Sequence, residues 1–576
     1  MRRILFVLLL ALPLAAQTQI LPLAQVRAGM RGVGRTIFQG NRVEEFQAEI
    51  LGVMENTGPK QSMILARLSG GPLTSTGVLQ GMSGSPVYVD GRIIGAVSTA
   101  FSFAKEPIAG IRPIEDMLAL PAPVAGPRRA MNWSPDGTHI AAAFTPREDK
   151  AGKLTNIATP LSFSGFPTAT IERFAPQFRS LGMEPRQGVA GGGNSGSMTP
   201  GDAKLVTPGS MISAHLITGD LVLGADGTVT HVDGSAVYAF GHQFLKSGAV
   251  EIPFWRSEVL ALLPSTEISF KISSSREFMG TLTGDYESGI RGVLGRQPSL
   301  LPVRITVNGR QTYNVSLVRD DLLSPFFLQV ATAAAIDATG RTSGEATARI
   351  DGEIRFANGA TPVRIHNTYA ADTAISGSAA LAGAIPLSYV LQSGFAELAP
   401  ASVQLDIQTT EKKAQLTVDD LWASRSKVHP GETVEFSVEL RGDGANEVVR
   451  RISYQVPLGM PAGPLQISVH DAQTANILDY AQTVNQPPHS AVQAVEFLNA
   501  LRPNHQAFLR IVRPEASFPV GHRQMPDPPP SVALLLNRWP ASASPALPQA
   551  RVAEFPIDGG NAQVSGTRTI QIEVVE

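Results

Sequence analysis

The residues with the clearest chemical potential are Gly81-Met82-Ser83-Gly84-Ser85-Pro86. A serine hydroxyl is a poor nucleophile, so attack on a carbonyl needs a base beside it and donors for the oxyanion. Glycines around Ser83 let the backbone turn sharply and approach a substrate. In such a turn the N–H groups of Gly81 and Ser83 are the oxyanion donors, and Pro86 launches the next strand. A plain structural turn is the competing reading, and strand-like text on both sides weighs against it. Ten histidines are available as the base. His242 is favoured, because the run Val237-Tyr238-Ala239-Phe240 leading into Gly241-His242 sets an imidazole at a strand end. His215 and His231 have no glycine beside them and rank lower. Asp233 and Asp285 are the nearest carboxylates for a third member, each also readable as a turn residue. Gly193-Asn194-Ser195-Gly196-Ser197 repeats the G-x-S-G spelling. Met198 replaces the proline there, so Ser195 reads as part of a flexible loop and a remote second candidate.

The elements that must hold these groups are strands. From Leu23 to about Leu120 the text has closely spaced turns, with Phe46 to Val53 and Val87 to Val97 as examples. In the second of these, Asp90-Gly91 between apolar runs predicts a tight type I′ hairpin, since both central residues need positive φ. Residues 121–127 are Pro/Ala-rich and read as a linker, and Gly188 to Gly196 as an exposed loop. Strands resume near Met211 and run to about Val307. Two alanine-rich stretches, 325–338 and 376–394, have apolar spacing that suits helices. Beyond residue 400 the pattern is β again, and Thr433 to Leu440 alternates as a half-buried sandwich strand should. An immunoglobulin-like module is expected around 412–475. The proline-rich stretch 523–550 reads as an extended strap or linker, and 564–575 as a returning strand.

G-x-S-G-x-P is also the loop form of chymotrypsin-like serine peptidases. The stretches Gly29 to Gly40, Glu49 to Val53, Gly77 to Tyr88 and Gly110 to Leu118 together resemble the SpoIVB peptidase family, peptidase family S55. The resemblance covers about 29–118. It implies a serine endopeptidase of chymotrypsin-like fold, with Ser83 at the nucleophile position, and the family includes self-processing members. The family's histidine also follows a strand in a Gly-His setting, and Gly280 to Thr283 with Gly289 to Gly292 resembles a segment beyond it. Two departures stand out. The family's histidine precedes its serine, whereas Ser83 precedes His242; a permuted order of two barrels would reconcile them, since triad geometry does not fix chain order. The family's aspartate upstream of the serine has no counterpart, because Arg67-Leu68-Ser69-Gly70-Gly71 carries no carboxylate.

Composition narrows the remaining classes. The chain has 576 residues, 43% hydrophobic and 17% charged, with a formal net charge of -2. No basic stripe suits a nucleic acid. The absence of cysteine excludes thiol nucleophiles, disulfides and thiolate metal sites. No Walker loop, H-E-x-x-H or Ca²⁺ loop is found, so no cofactor and no metal are expected. Arg2-Arg3, the apolar run Ile4 to Leu14 and Ala15-Ala16-Gln17 read as a signal peptide, and export to the periplasm or outside follows. No second apolar run long enough to span a membrane appears, so no integral span is expected in the mature chain.

The sequence therefore predicts a mainly β protein: a chymotrypsin-like double β-barrel, permuted, followed by β-sandwich modules. The expected division is 1–16 signal peptide, 20–120 barrel half with the serine, 121–200 linker and irregular region, 201–320 barrel half with the histidine, 321–400 mixed α/β, 401–520 sandwich and 521–576 proline-rich segment with terminal strand. The expected substrate is a protein or peptide, and the C-terminal modules could meet an envelope partner. The competing class is a non-catalytic envelope-binding protein on a peptidase-like fold.

Overall fold

The computed structural model describes residues 19–58, 60–101, 104–121, 133–142, 144, 154–188, 198–265, 268–340, 344–442, 447–483, 488–520, 523–526, 528–538 and 549–576. The signal-peptide segment, most of the 121–127 linker, and Ser195 with most of its glycine-rich loop lie outside these residues.

The first six strands are β1 (Arg31–Ile37), β2 (Val43–Gly58), β3 (Gln61–Ser69), β4 (Pro86–Val89), β5 (Arg92–Phe101) and β6 (Ile108–Pro113). They pair antiparallel in the order β4-β1-β2-β3-β6-β5, and β5 returns to β4, which closes a six-stranded barrel. Closure leaves no exposed sheet edge. The β4–β5 hairpin turns on Asp90 and Gly91 with φ of 49° and 75°, the left-handed pair that the Asp-Gly spelling predicts. Phe46, Ile64, Leu79, Met82, Val87, Val97 and Ile111 fill the interior.

Three strands follow: β7 (Leu154–Asn156), β8 (Thr159–Ser164) and β9 (Met183–Gln187). The helix Thr168–Ser180 links β8 to β9, which run parallel. This stretch lies inside the region expected to be irregular. The helix buries Ile171, Phe174 and Phe178, one apolar residue per turn against the sheet, so a single short face suffices to order it.

A second barrel comes from β10 (Met211–Gly219), β11 (Val222–Asp233), β12 (Ala236–Ala239), β13 (Gly248–Leu263), β14 (Phe270–Tyr286) and β15 (Gly289–Leu294). The ring runs β10-β13-β14-β15-β12-β11 and β11 closes onto β10, again six antiparallel strands. Beyond β11 the sheet continues into β8 and β9. Beyond β10 it continues through β17 (Gln311–Val318), β16 (Leu300–Val307), β20 (Pro400–Thr410), β18 (Ala346–Phe356) and β19 (Val363–Ala371). The two alanine-rich stretches form the helices Leu323–Thr339 and Ile375–Ala379 with Leu381–Gln392. Small side chains let these helices pack closely on the sheet, and nearly every residue of Leu323–Thr339 is buried. The stretch Ile375–Gln392 is long and apolar enough to cross a membrane, yet it is 72% buried within the molecule.

The C-terminal third is a β-sandwich. One four-stranded sheet holds Gln415–Ala423, Thr433–Gly442, Glu447–Gln455 and Gln563–Ser565. The facing sheet holds Lys427–Val428, Thr567–Val574, Gly463–Asp471, Gln506–Arg513 and Ala550–Asp558. Val434, Phe436, Val438 and Leu440 from one sheet meet Leu465, Ile467, Leu509 and Ile572 from the other in one core. Helices Ala472–Thr483 and Ala491–Asn499 interrupt the strand order. Within 523–550, expected to be extended, Pro530–Arg538 is a helix, because Pro529 and Pro530 sit at its start, where a missing N–H costs nothing.

Candidate active site

The turn carrying Ser83 is built at the seam of the two barrels. Gly81 and Gly84 have φ of 91° and 92°, values that an L side chain rarely adopts. Within the first barrel, Gly84 N donates to Val97 O at 2.7 Å and Ser85 N to Met82 O at 2.9 Å. The second barrel then grips the turn from the other side. Thr228 N donates to Ser83 O at 2.8 Å, Thr228 Oγ1 to Gly81 O at 2.8 Å and Thr230 Oγ1 to Gly84 O at 2.7 Å. These contacts take up the carbonyls of the turn. No acceptor among the described residues takes the N–H of Gly81 or Ser83, so both donors stay free for an incoming oxyanion.

His242 enters from the end of β12. Phe240 and Gly241 adopt positive φ, 67° and 68°, and Gly241 lies against Ala96, Val97 and Ser98 of β5. An aromatic residue in the left-handed region is held at a cost of roughly 1–3 kcal/mol, which here turns the chain so that the next residue faces the Ser83 loop. His242 Nε2 lies 2.9 Å from Ser83 Oγ, and Nδ1 lies 2.7 Å from Gln243 O. The second contact decides the tautomer. A carbonyl can only accept, so the proton sits on Nδ1 and the Nε2 lone pair faces the serine O–H. That is the polarity a general base requires.

Electrostatics act in the same sense. Burial brings the His242 imidazole down to about 4; the Gln243 carbonyl opposes this, while the Arg112 charge pushes further down. The ring is neutral at pH 7, ready to accept a proton. Ser83 is 1% exposed and His242 2%, so their contact is made in the buried seam between the barrels.

The expected third member is not on the imidazole. Asp285, at the end of β14, spends its carboxylate on the loop after His242. Oδ1 accepts Phe244 N–H at 2.8 Å, and Oδ2 accepts Leu245 N–H at 2.5 Å and Ser247 N–H at 3.4 Å. Burial raises its pKa, against the pull of those same N–H groups. Asp285 therefore shapes the loop whose Gln243 carbonyl orients the ring, without touching the ring. Asp233 lies exposed at the end of β11, pairing with Ala236 across the Gly234 turn. In place of a carboxylate, a main-chain carbonyl fixes the tautomer, and no side-chain pattern announces a carbonyl. Thr228 and Thr230 were equally silent in the sequence, being ordinary strand residues until the barrels meet.

Other histidine–serine contacts lack this polarity. His139 Nε2 lies 2.8 Å from Ser388 Oγ, but Nδ1 accepts the Ser134 N–H at 3.2 Å, so the proton is on Nε2 and points at the serine. His215 Nε2 lies 2.8 Å from Ser275 Oγ. Its Nδ1 is buried with no hydrogen-bond partner among the described residues, and the ring stacks on Trp255 at 4.0 Å, so no described contact fixes the tautomer. His231 packs beside Tyr238.

Residues 13–118 match the SpoIVB peptidase S55 family. No curated protein and no solved structure matches the chain. The matched segment spans the whole S55-like barrel with its Ser83 turn; the barrel carrying His242 lies outside it. Among the described residues no cluster of histidine and acidic side chains could hold a metal ion.

Asp285 provides a test of how the loop is held. Asp285→Ala leaves buried N–H groups unmet and is expected to cost about 3 kcal/mol. Urea unfolding would read this as a lower midpoint, and a midpoint equal to that of the unmodified protein would show that the loop does not depend on the carboxylate.

Proposed function

We propose that the protein is an exported serine endopeptidase that cleaves proteins through an acyl-enzyme. Ser83 Oγ attacks the scissile carbonyl while His242 Nε2 takes its proton. The N–H groups of Gly81 and Ser83 receive the oxyanion, and the protonated imidazole then returns the proton to the leaving amine. Water repeats the sequence on the ester and frees the serine. The observation that carries the reading is the contact between Ser83 and His242 with the proton fixed on Nδ1. The Gln243 carbonyl takes the orienting role that an aspartate has in a full triad, and Asp285 supports it at one remove. Export rests on Arg2-Arg3 with the apolar run that follows. The protein's own chain is a candidate substrate, as expected from the family resemblance.

The direct test is a fluorophosphonate probe with mass-spectrometric mapping of the adduct. Label at Ser83 supports the peptidase; none under broad conditions favours a non-catalytic envelope-binding protein instead.

The base also sets a pH dependence. The folded pKa of His242, about 4, lies below the 6.5 of a free imidazole. The acid limb of Ser83 labelling is therefore expected near pH 4, with a flat rate through pH 6 and 7. Stability follows the same sign: the contribution of the neutral ring is complete above about 6.5 and is lost as pH falls toward about 4. A labelling limb centred near 6.5 would show that the working imidazole is not the buried one.

A further inference from the structure

Lys271, on β14, is a lysine only 2% exposed. Burying an ammonium is costly, and an apolar residue would fill a strand interior more cheaply. Among the described residues its ammonium makes one hydrogen bond, across the seam, from Nζ to Thr36 Oγ1 on β1 at 2.8 Å. An opposite charge acting on it is Asp226 on β11, itself buried and held by Ser273 Oγ at 2.6 Å, with Ser162 and Ser257 at 3.5 Å. Burial brings the amine down to about 7, against the pull of Asp226.

The route of the side chain matters most. Lys271 N donates to Gln80 O at 3.3 Å, and Gln80 N donates to Ser269 O at 2.9 Å, so β14 and the turn are joined just before Gly81. From there the lysine stem passes directly behind Gly81. A Cβ placed on Gly81 would lie 3.2 Å from Lys271 Cδ, 3.5 Å from its Cγ and 3.5 Å from Met211 Cε. The Gly81 carbonyl is pinned by Thr228. The peptide that carries the Gly81 N–H is thus held at its Gln80 carbonyl by Lys271 N–H, the Gly81 carbonyl that follows is held by Thr228, and the lysine stem backs the α-carbon between them.

We infer that Lys271 is a positioning residue for the oxyanion turn: tethered at Thr36 in the first barrel, its stem backs Gly81 and keeps the Gly81 N–H aimed at the developing oxyanion. This rests on the peptidase reading of the Ser83 site. A misdirected donor weakens the transition state while leaving ground-state binding intact.

The test follows fluorophosphonate inactivation at varied probe concentration, which separates the maximal rate from the half-saturating concentration. Lys271→Val lacks the Cδ, the lysine atom that comes nearest the Gly81 Cβ position. It is expected to lower the maximal rate by about 10–100-fold with the half-saturating concentration little changed. Lys271→Met keeps an unbranched stem and is expected to react within about threefold of the unmodified protein. Val at the unmodified rate, or Met as slow as Val, overturns the inference. Should Lys271→Val not fold, the Met variant decides alone: a rate within threefold supports the stem, and a larger loss overturns it. If the unmodified protein takes no label at Ser83, the peptidase reading itself fails; if it labels and the variants label equally fast, only the role of Lys271 fails.

Discussion

Ser83→Ala is expected to lower peptide-bond cleavage by about 10⁴–10⁶-fold and to abolish fluorophosphonate labelling, while the fold persists. Among the described residues the hydroxyl makes one hydrogen bond, with His242 Nε2, so its removal leaves the rest of the turn's hydrogen bonds in place. Its main chain stays held by Thr228. The alanine methyl occupies nearly the same space in the buried seam. An unstructured protein as substrate, followed by gel and mass spectrometry, reads the loss directly. The protein's own chain is the second substrate: fragments present in the unmodified protein and absent in the alanine variant would identify self-cleavage. Ser195→Ala is the companion variant, expected to cleave at the unmodified rate. Equal cleavage by the Ser83 variant and the unmodified protein would end the assignment of Ser83.

The second large effect is structural. Gly84→Ala is expected to destabilise the protein by roughly 4 kcal/mol or more, or to prevent folding. A Cβ at this position would lie 2.0 Å from Thr228 O, 2.5 Å from Phe240 N and 3.0 Å from Phe240 Cα. These are backbone atoms, so no rotamer change can make room. The φ of 92° adds strain for any L side chain. The same position carries the Gly84 N–H to Val97 O and the Thr230 hydroxyl to Gly84 O. Whatever movement relieves the clash must therefore separate the barrels where Ser83 meets His242. Thermal or urea unfolding measures the loss, and labelling of any folded fraction should fall with it. A variant as stable as the unmodified protein would mean that the seam is looser than its contacts indicate.

Much of the site was legible because its signals are local. Two glycines at positive φ, a following proline and a hairpin turn of Asp90-Gly91 are chemistry that neighbouring residues decide among themselves. The Gly241-His242 spelling is local in the same way, since only the backbone turn at Phe240 and Gly241 is needed to bring the ring to Ser83. The orienting group was not legible. Gln243 contributes a carbonyl, which every residue possesses, and only the loop's conformation selects it. Asp285 was noticed as a carboxylate, but its partners are N–H groups at Phe244, Leu245 and Ser247, brought to it by strand pairing across many residues. Within 121–200, expected to be linker and irregular, the strands and helix of 154–187 leave little signal because the strands are short and one helical face of Ile171, Phe174 and Phe178 only acquires meaning against the second barrel. The β-rich character and sandwich-like C-terminal region followed from alternation. The helices between strands Gly463–Asp471 and Gln506–Arg513 had no comparable signal.

Ser83 and His242, the proposed nucleophile and base, stand on different barrels, 159 residues apart along the chain. A polypeptide made from its N-terminus completes the first barrel, with an inert alcohol, well before the imidazole exists. On the proposed reading, cutting power is therefore a property of the docked pair and of neither half. If the proposed peptidase reading holds, a chain whose second barrel has not yet closed carries no active blade, and any ligand that pries the halves apart would disarm it without touching either reacting group.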